Sequence, residues 1–137
     1  MFTSLADYEQ FIYQLAERYP VIQRSTLALI RRGRYIAQMR GTIYFSAEMR
    51  LQVYEELVAL PQLHLTGYGY EAWQGEHKLY WYDSQPHPHI PELASTDPHH
   101  KHVHPDIKRN RVPAPDLSFT HPNLPFLIAE IEALLAG

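Results

Sequence analysis

LHLTGYGYEAWQGEHKLYWY, residues 63–82, decides the fold. Tyr68, Tyr70, Tyr80 and Tyr82 recur at a spacing of two, and Gln74-Gly75-Glu76 interrupts the run with a turn. Successive side chains of a strand point to opposite faces, so the pattern predicts two antiparallel strands, Leu63–Trp73 and His77–Tyr82, whose tyrosines share one face.

Outward from this hairpin, the upstream sequence keeps a strand texture. Thr26–Ile30 and Tyr35–Phe45 are β-rich and flank an Arg32-Gly33-Arg34 turn. Met49–Leu60 is rich in Leu, Glu and Gln, yet Leu51, Val53, Glu55 and Leu57 alternate, and strand is the reading adopted. Before the strands, Leu5, Tyr8, Phe11, Ile12 and Leu15 form one helical stripe, capped by Ser4 with Asp7 three residues on and stopped by Pro20. At the far end Asn123 is placed to cap a last helix, with Pro125 in its first turn and Phe126, Leu127, Ile131, Leu134 and Leu135 as its stripe.

These elements predict an α+β fold: a meandering antiparallel sheet of four or five strands, an N-terminal and a C-terminal helix, and a long loop across one end. The 137 residues suit a single domain, 1–137, and 45% apolar content argues against disorder throughout. No cysteine is present, which removes disulfides, thiolate ligands and a thiol nucleophile. Nothing reads as a signal peptide or a membrane span, so the expected address is cytoplasmic.

A net charge of −3 argues against coating nucleic acid by charge alone, but the charge is uneven. Arg24, Arg31, Arg32, Arg34, Arg40 and Arg50 share a stretch whose single acid is Glu48. Such a run is either a solvated sheet face or a surface for phosphate or a partner. Arg32 and Arg34, with Tyr70 and Tyr82 as a stacking platform for bases, are the substrate-binding candidates.

After Asp83 the composition changes. Nine of the eleven prolines lie between Pro86 and Pro125, so 83–122 reads as a His/Pro-rich loop region that excludes a central strand. Six histidines fall within 87–104. On an extended segment His100 and His102 face one way and His99 and Lys101 the other. Cleaving RNA through its own 2′-hydroxyl needs a base, an acid and a cation. His99, His100, Lys101 and His102 supply all three, with Asp83 to orient an imidazole. That chemistry uses no cofactor. The same imidazoles, with His87 and His89, also suit a divalent metal such as zinc, completed by Asp83, Glu92, Asp97 or Asp106. A third alternative is a non-catalytic protein-interaction domain whose histidines merely pin the loop.

The run Y-D-S-Q-P-H-P-H, residues 82–89, followed by T-D-P-H-H-K-H-V, residues 96–103, resembles the TumE-like family, as do the preceding G-Y-G-Y and the alternating strand at Glu55. The resemblance extends from about Gly41 to the C-terminal helix, and P-H-H-K-H is its most specific part. Asp83, His89, Thr96, Pro98, His99, His100, Lys101 and His102 match the family pattern residue by residue. Trp81, Ser84 and Asp97 depart from it, standing where the family has Arg, Asn and Phe. The resemblance implies the toxin of a bacterial toxin–antitoxin pair and a helix-turn-helix antitoxin as partner; RNA as the target is the expectation drawn from the histidine chemistry.

Overall fold

In a computed structural model, residues 1–85 and 98–137 are described. Helix α1 (Leu5–Tyr13) starts where Ser4 Oγ accepts the Asp7 amide, and a short α2 (Leu15–Arg18) follows. The strands are β1 (Arg24–Ser25), β2 (Ala28–Arg31), β3 (Ile36–Tyr44), β4 (Met49–Ala59), β5 (Leu63–Gln74), β6 (His77–Asp83), β7 (His100–His102) and β8 (Arg111–Pro113), before α3 (Leu124–Ala136).

Among the described residues, all eight strands belong to one antiparallel sheet of order β1-β3-β4-β5-β6-β7-β8, with β2 also on β3. The α+β class is as expected, and Met49–Ala59 is the strand its alternation implied. The strand count is larger than the expected four or five, for two reasons. The edge beside β3 is shared by two short strands, β1 and β2. The supposed loop also folds back as β7 and β8, and β7 lies between β6 and β8 rather than outside the sheet. Proline density had argued against that placement. The prolines bracket β7, at Pro98 and Pro105, and Pro113 ends the edge strand β8, where no further strand needs its missing amide.

Both long helices cover one face of the sheet. Leu51, Leu57, Leu65, Tyr70 and Met39 are buried under Ile12, Leu15, Leu127, Ile128 and Ile131. The tyrosines of the hairpin point into this core, with Tyr70 opposite Tyr82. Two details of α3 differ from expectation. Leu134 is exposed while Ile128 takes the buried position. Asn123 makes no side-chain cap; its Oδ1 accepts the Ser118 amide and its Nδ2 donates to the Tyr70 hydroxyl.

A polar staple crosses the core. Glu55 on β4, with no exposed surface, accepts hydrogen bonds from the Tyr8 hydroxyl of α1 and the Tyr70 hydroxyl of β5. Burial raises its pKa to about 7, although both tyrosine bonds pull the other way. Among the described residues no helix is long and apolar enough to cross a membrane.

Candidate functional site

The pleat of β7 divides the histidine block between the two faces of the sheet. His100 and His102 lie on the outer face, beside Asp83 and Trp81 of β6. Lys101 turns to the core face, where it stands opposite Tyr82 and its Nζ is 2.9 Å from Glu130 of α3. His99 also leaves the outer group: its ring stacks on Tyr68, Nδ1 bonds the Tyr68 hydroxyl, and Phe119 packs against it.

On the outer face, Asp83, His100 and His102 bring one ligand atom each to within 4.8 Å of one another. His100 has no exposed surface and His102 is 6% exposed, so this is a built site rather than a solvated cluster. The two Nε2 atoms are 3.1 Å apart. Two backbone carbonyls hold the rings: Pro98 O is 3.1 Å from His100 Nδ1, and Ile107 O is 3.0 Å from His102 Nδ1. Trp81 lies on the His102 ring with centroids 3.9 Å apart. Asp83 Oδ1 accepts the Gln85 amide, and buried Ser84 ties the end of β6 to the Tyr68 backbone.

Arg111 completes the group and was not legible in the sequence. It faces His102 across β7–β8, and its guanidinium is 3.0 Å from His100 Nδ1. Nothing in local spacing links Arg111 to the histidines; only strand pairing does. It also bears on the Trp81 departure, because Trp81, His102 and Arg111 form one cross-strand row that still contains a guanidinium.

Two proton arrangements divide these contacts between them: the first keeps both carbonyl bonds but sets His100 Nδ1–H against the Arg111 donor at 3.0 Å, and the second keeps the Arg111 bond and gives up the one to Pro98 O. With Nδ1–H of both rings donating to the carbonyls, two Nε2 lone pairs face each other, which suits a cation or a proton between them. With His100 Nδ1 accepting from Arg111, His100 Nε2–H donates to His102 Nε2, and a chain runs from Arg111 to Ile107 O. Burial is the main cause lowering the pKa of both imidazoles, with Arg111 adding to it, so both rings favour the neutral, ligating form.

A family model described as Toxin TumE matches residues 12–135, nearly the whole chain. The chain belongs to the TumE toxin family. This TumE-family protein is therefore the toxin half of a toxin–antitoxin pair, and an antitoxin is its partner. Comparison with curated proteins and with solved structures gave no match.

Other expected site residues fall elsewhere. Tyr70 and Tyr82 are buried, at 0% and 3% exposure, and bond Glu55 and Glu130, so neither presents a ring to a base. Arg32 and Arg34 are exposed in the β2–β3 turn, Arg32 bonding Gln38. His104 bonds the Lys78 carbonyl at 2.7 Å and is not part of the trio. His87, His89, Glu92, Thr96 and Asp97 lie outside the described residues.

Proposed function

We propose that this TumE-family toxin cleaves RNA at the Asp83–His100–His102 centre, with a divalent cation held by those three side chains. The observation that carries the reading is the convergence of two buried Nε2 atoms at 3.1 Å beside a carboxylate. Two imidazoles working as acid and base on opposite sides of a phosphate must have that phosphate between them. At this separation they meet a single atom instead. Two ligands at ~2.0–2.1 Å from one zinc-like ion, at an angle of roughly 100°, are about that far apart. The carbonyls at both Nδ1 atoms match the usual support of ligating histidines.

Two imidazoles and one carboxylate leave open positions on such an ion. It would polarise a phosphoryl oxygen and activate a hydroxyl or water, while Arg111 takes up charge developing on the phosphate. The partner fitting this reading is the helix-turn-helix antitoxin implied by the family resemblance, acting where the toxin is made, in the cytoplasm.

A metal-free acid–base centre on the same residues is the second reading. The Arg111-to-His100-to-His102 chain favours it, because it satisfies both rings without an ion. Metal analysis and RNA cleavage by the purified toxin separate the two. The metal reading expects bound zinc or manganese, loss of cleavage in chelator, recovery on adding the ion, and loss of both in His102→Ala. Cleavage that survives chelator but not His102→Ala would establish the acid–base reading. Cleavage unaffected by His102→Ala would remove both.

A further inference from the structure

The outer face of the sheet carries a row that neither the family nor the histidine centre accounts for. Strand register lines up Arg24, Tyr44, Arg50, Trp73 and Lys78 side by side across β1, β3, β4, β5 and β6. Cation and ring alternate along it. Arg24 sits 3.9 Å from the Tyr44 ring centroid, Arg50 4.9 Å from Trp73, and Lys78 5.2 Å from Trp73. Four strand intervals of about 4.8 Å make the row roughly 19 Å long. It does not end at Lys78: the ammonium also lies 4.4 Å from the Trp81 ring, and Trp81 lies on His102. The row therefore runs from the far edge of the sheet to the reacting centre.

A second row reaches the same centre. Arg40, Tyr54, Gly69, Asp83 and His100 are consecutive across the sheet, with Arg40 over the Tyr54 ring. Gly69 breaks the row of side chains, and a Cβ built there meets nothing within 4 Å. The gap forms a groove floored by Gly69 between Tyr54 and Asp83. An interior strand glycine with open space above it leaves room for a close approach by another molecule.

The helices bury the other face, so these rings and cations are left partly open to solvent. The face carries Glu56 and Glu71 besides Asp83, and Glu48 lies at its Arg24–Arg50 end; Glu71 is paired with Lys78 at 3.2 Å and Glu56 accepts from Tyr54, so the three arginines outnumber the acids left beside them. Arg24, Arg40 and Arg50 lie over rings, and none forms an ion pair among the described residues; Arg50 also donates to the Gly75 carbonyl at 2.6 Å, which holds it beside Trp73 with its charge unpaired by a carboxylate.

We propose that the outer sheet face is the path of a single-stranded RNA, its bases on Trp73, Tyr44 and Tyr54, its phosphates on Arg24, Arg40 and Arg50, leading over Gly69 to the centre. Alternating rings and cations on an open surface are what sequence-tolerant single-strand binding requires, and a duplex has no exposed base faces to stack. The proposal rests on the RNA reading above and adds the form of the substrate and its route.

The test uses a fluorescent oligouridylate of about 12 nucleotides, inside the ~4–16 nucleotide range of such sites, titrated with toxin carrying His102→Ala. The expected results are binding that weakens steeply with salt, about tenfold weaker binding in Trp73→Ala and in Arg50→Ala, and stronger loss in Gly69→Val. Gly69→Val fills the groove without strain, and unfolding curves confirm that each variant is folded. Equal RNA affinity in all three folded variants would overturn the path while leaving RNA as the target. No RNA binding by any form, including the His102→Ala parent, would overturn the RNA reading itself and the path with it. If the variants lose the antitoxin but keep RNA, the face is a protein-docking surface and the proposal fails.

Discussion

Replacing Glu55 by Gln isolates a pH-dependent cost buried in the core. Glu55 is fully enclosed, and its pKa stands at about 7 against an ordinary 4.5. The folded protein therefore holds a proton on Glu55 at pH values where the unfolded chain has lost it. Unfolding between pH 4.5 and 7 releases that proton, so this group's contribution to stability falls as pH rises through the window. A shift of about 2.5 units corresponds to roughly 3 kcal/mol. Gln keeps the shape, accepts from one tyrosine and donates to the hydroxyl oxygen of the other, and cannot ionise. Urea unfolding followed by tryptophan fluorescence at pH 5 and pH 8 should show the two proteins nearly equal at pH 5, with Glu55→Gln ahead by about 3 kcal/mol at pH 8. The lowered His100 and His102 act in the opposite sense, but both proteins contain them and the difference cancels them. A stability difference that does not change with pH would refute the account of Glu55 as a carboxyl protonated by burial.

Lys101→Met should lower stability by about 1–2 kcal/mol, because it breaks a partly exposed pair with Glu130, while leaving toxicity in cells intact. Growth inhibition lost in Lys101→Met at full expression would contradict its assignment to the core face. Gly41→Ala should destabilise by roughly 2 kcal/mol or more, since φ is 144° and the new Cβ would meet Thr26 O at 2.6 Å; thermal unfolding reads this directly. Glu48→Gly should stabilise by about 0.5–1 kcal/mol, because Ala47 and Glu48 both adopt positive φ in the turn between β3 and β4, and the denaturation midpoint should rise.

Much of the fold was legible where one physical signal dominated. The period-two tyrosines fixed the β5–β6 hairpin, and Ser4 with Asp7 marked the start of α1. In Met49–Ala59 the alternation of Leu51, Val53, Glu55 and Leu57 outweighed helix propensity because all four face the same core. The short strands escaped because their pairing partners lie far away in sequence. His100–His102 has no apolar alternation, and Arg111–Pro113 is three residues long between prolines and charged residues. Facing was also hidden. Alternation tells which tyrosines share a face, but not that the shared face is the core; that follows from α3 covering it. Hence Tyr70 and Tyr82 read as a stacking platform from sequence, whereas Trp73 and Trp81 occupy the open face.

The register of β7 explains why the family block holds residues that do not meet at one centre. His-Lys-His offers no apolar pattern, so burial cannot choose which residues point inward, and a slip of one residue would exchange the faces. Polar anchors choose instead. Glu130 Oε2 accepts from both Lys101 Nζ and the Tyr82 hydroxyl, which fixes Lys101 opposite Tyr82 on the core face. Trp81 packs on His102 and does the same on the outer face. With Lys101 held inward, His100 necessarily stands beside Asp83, and His102 beside Trp81 and Arg111. Lys101 thus brings no charge to the trio and is one of two anchors of the register; without its ion pair, the packing of Trp81 on His102 and the β6–β7 pairing still hold the three side chains together.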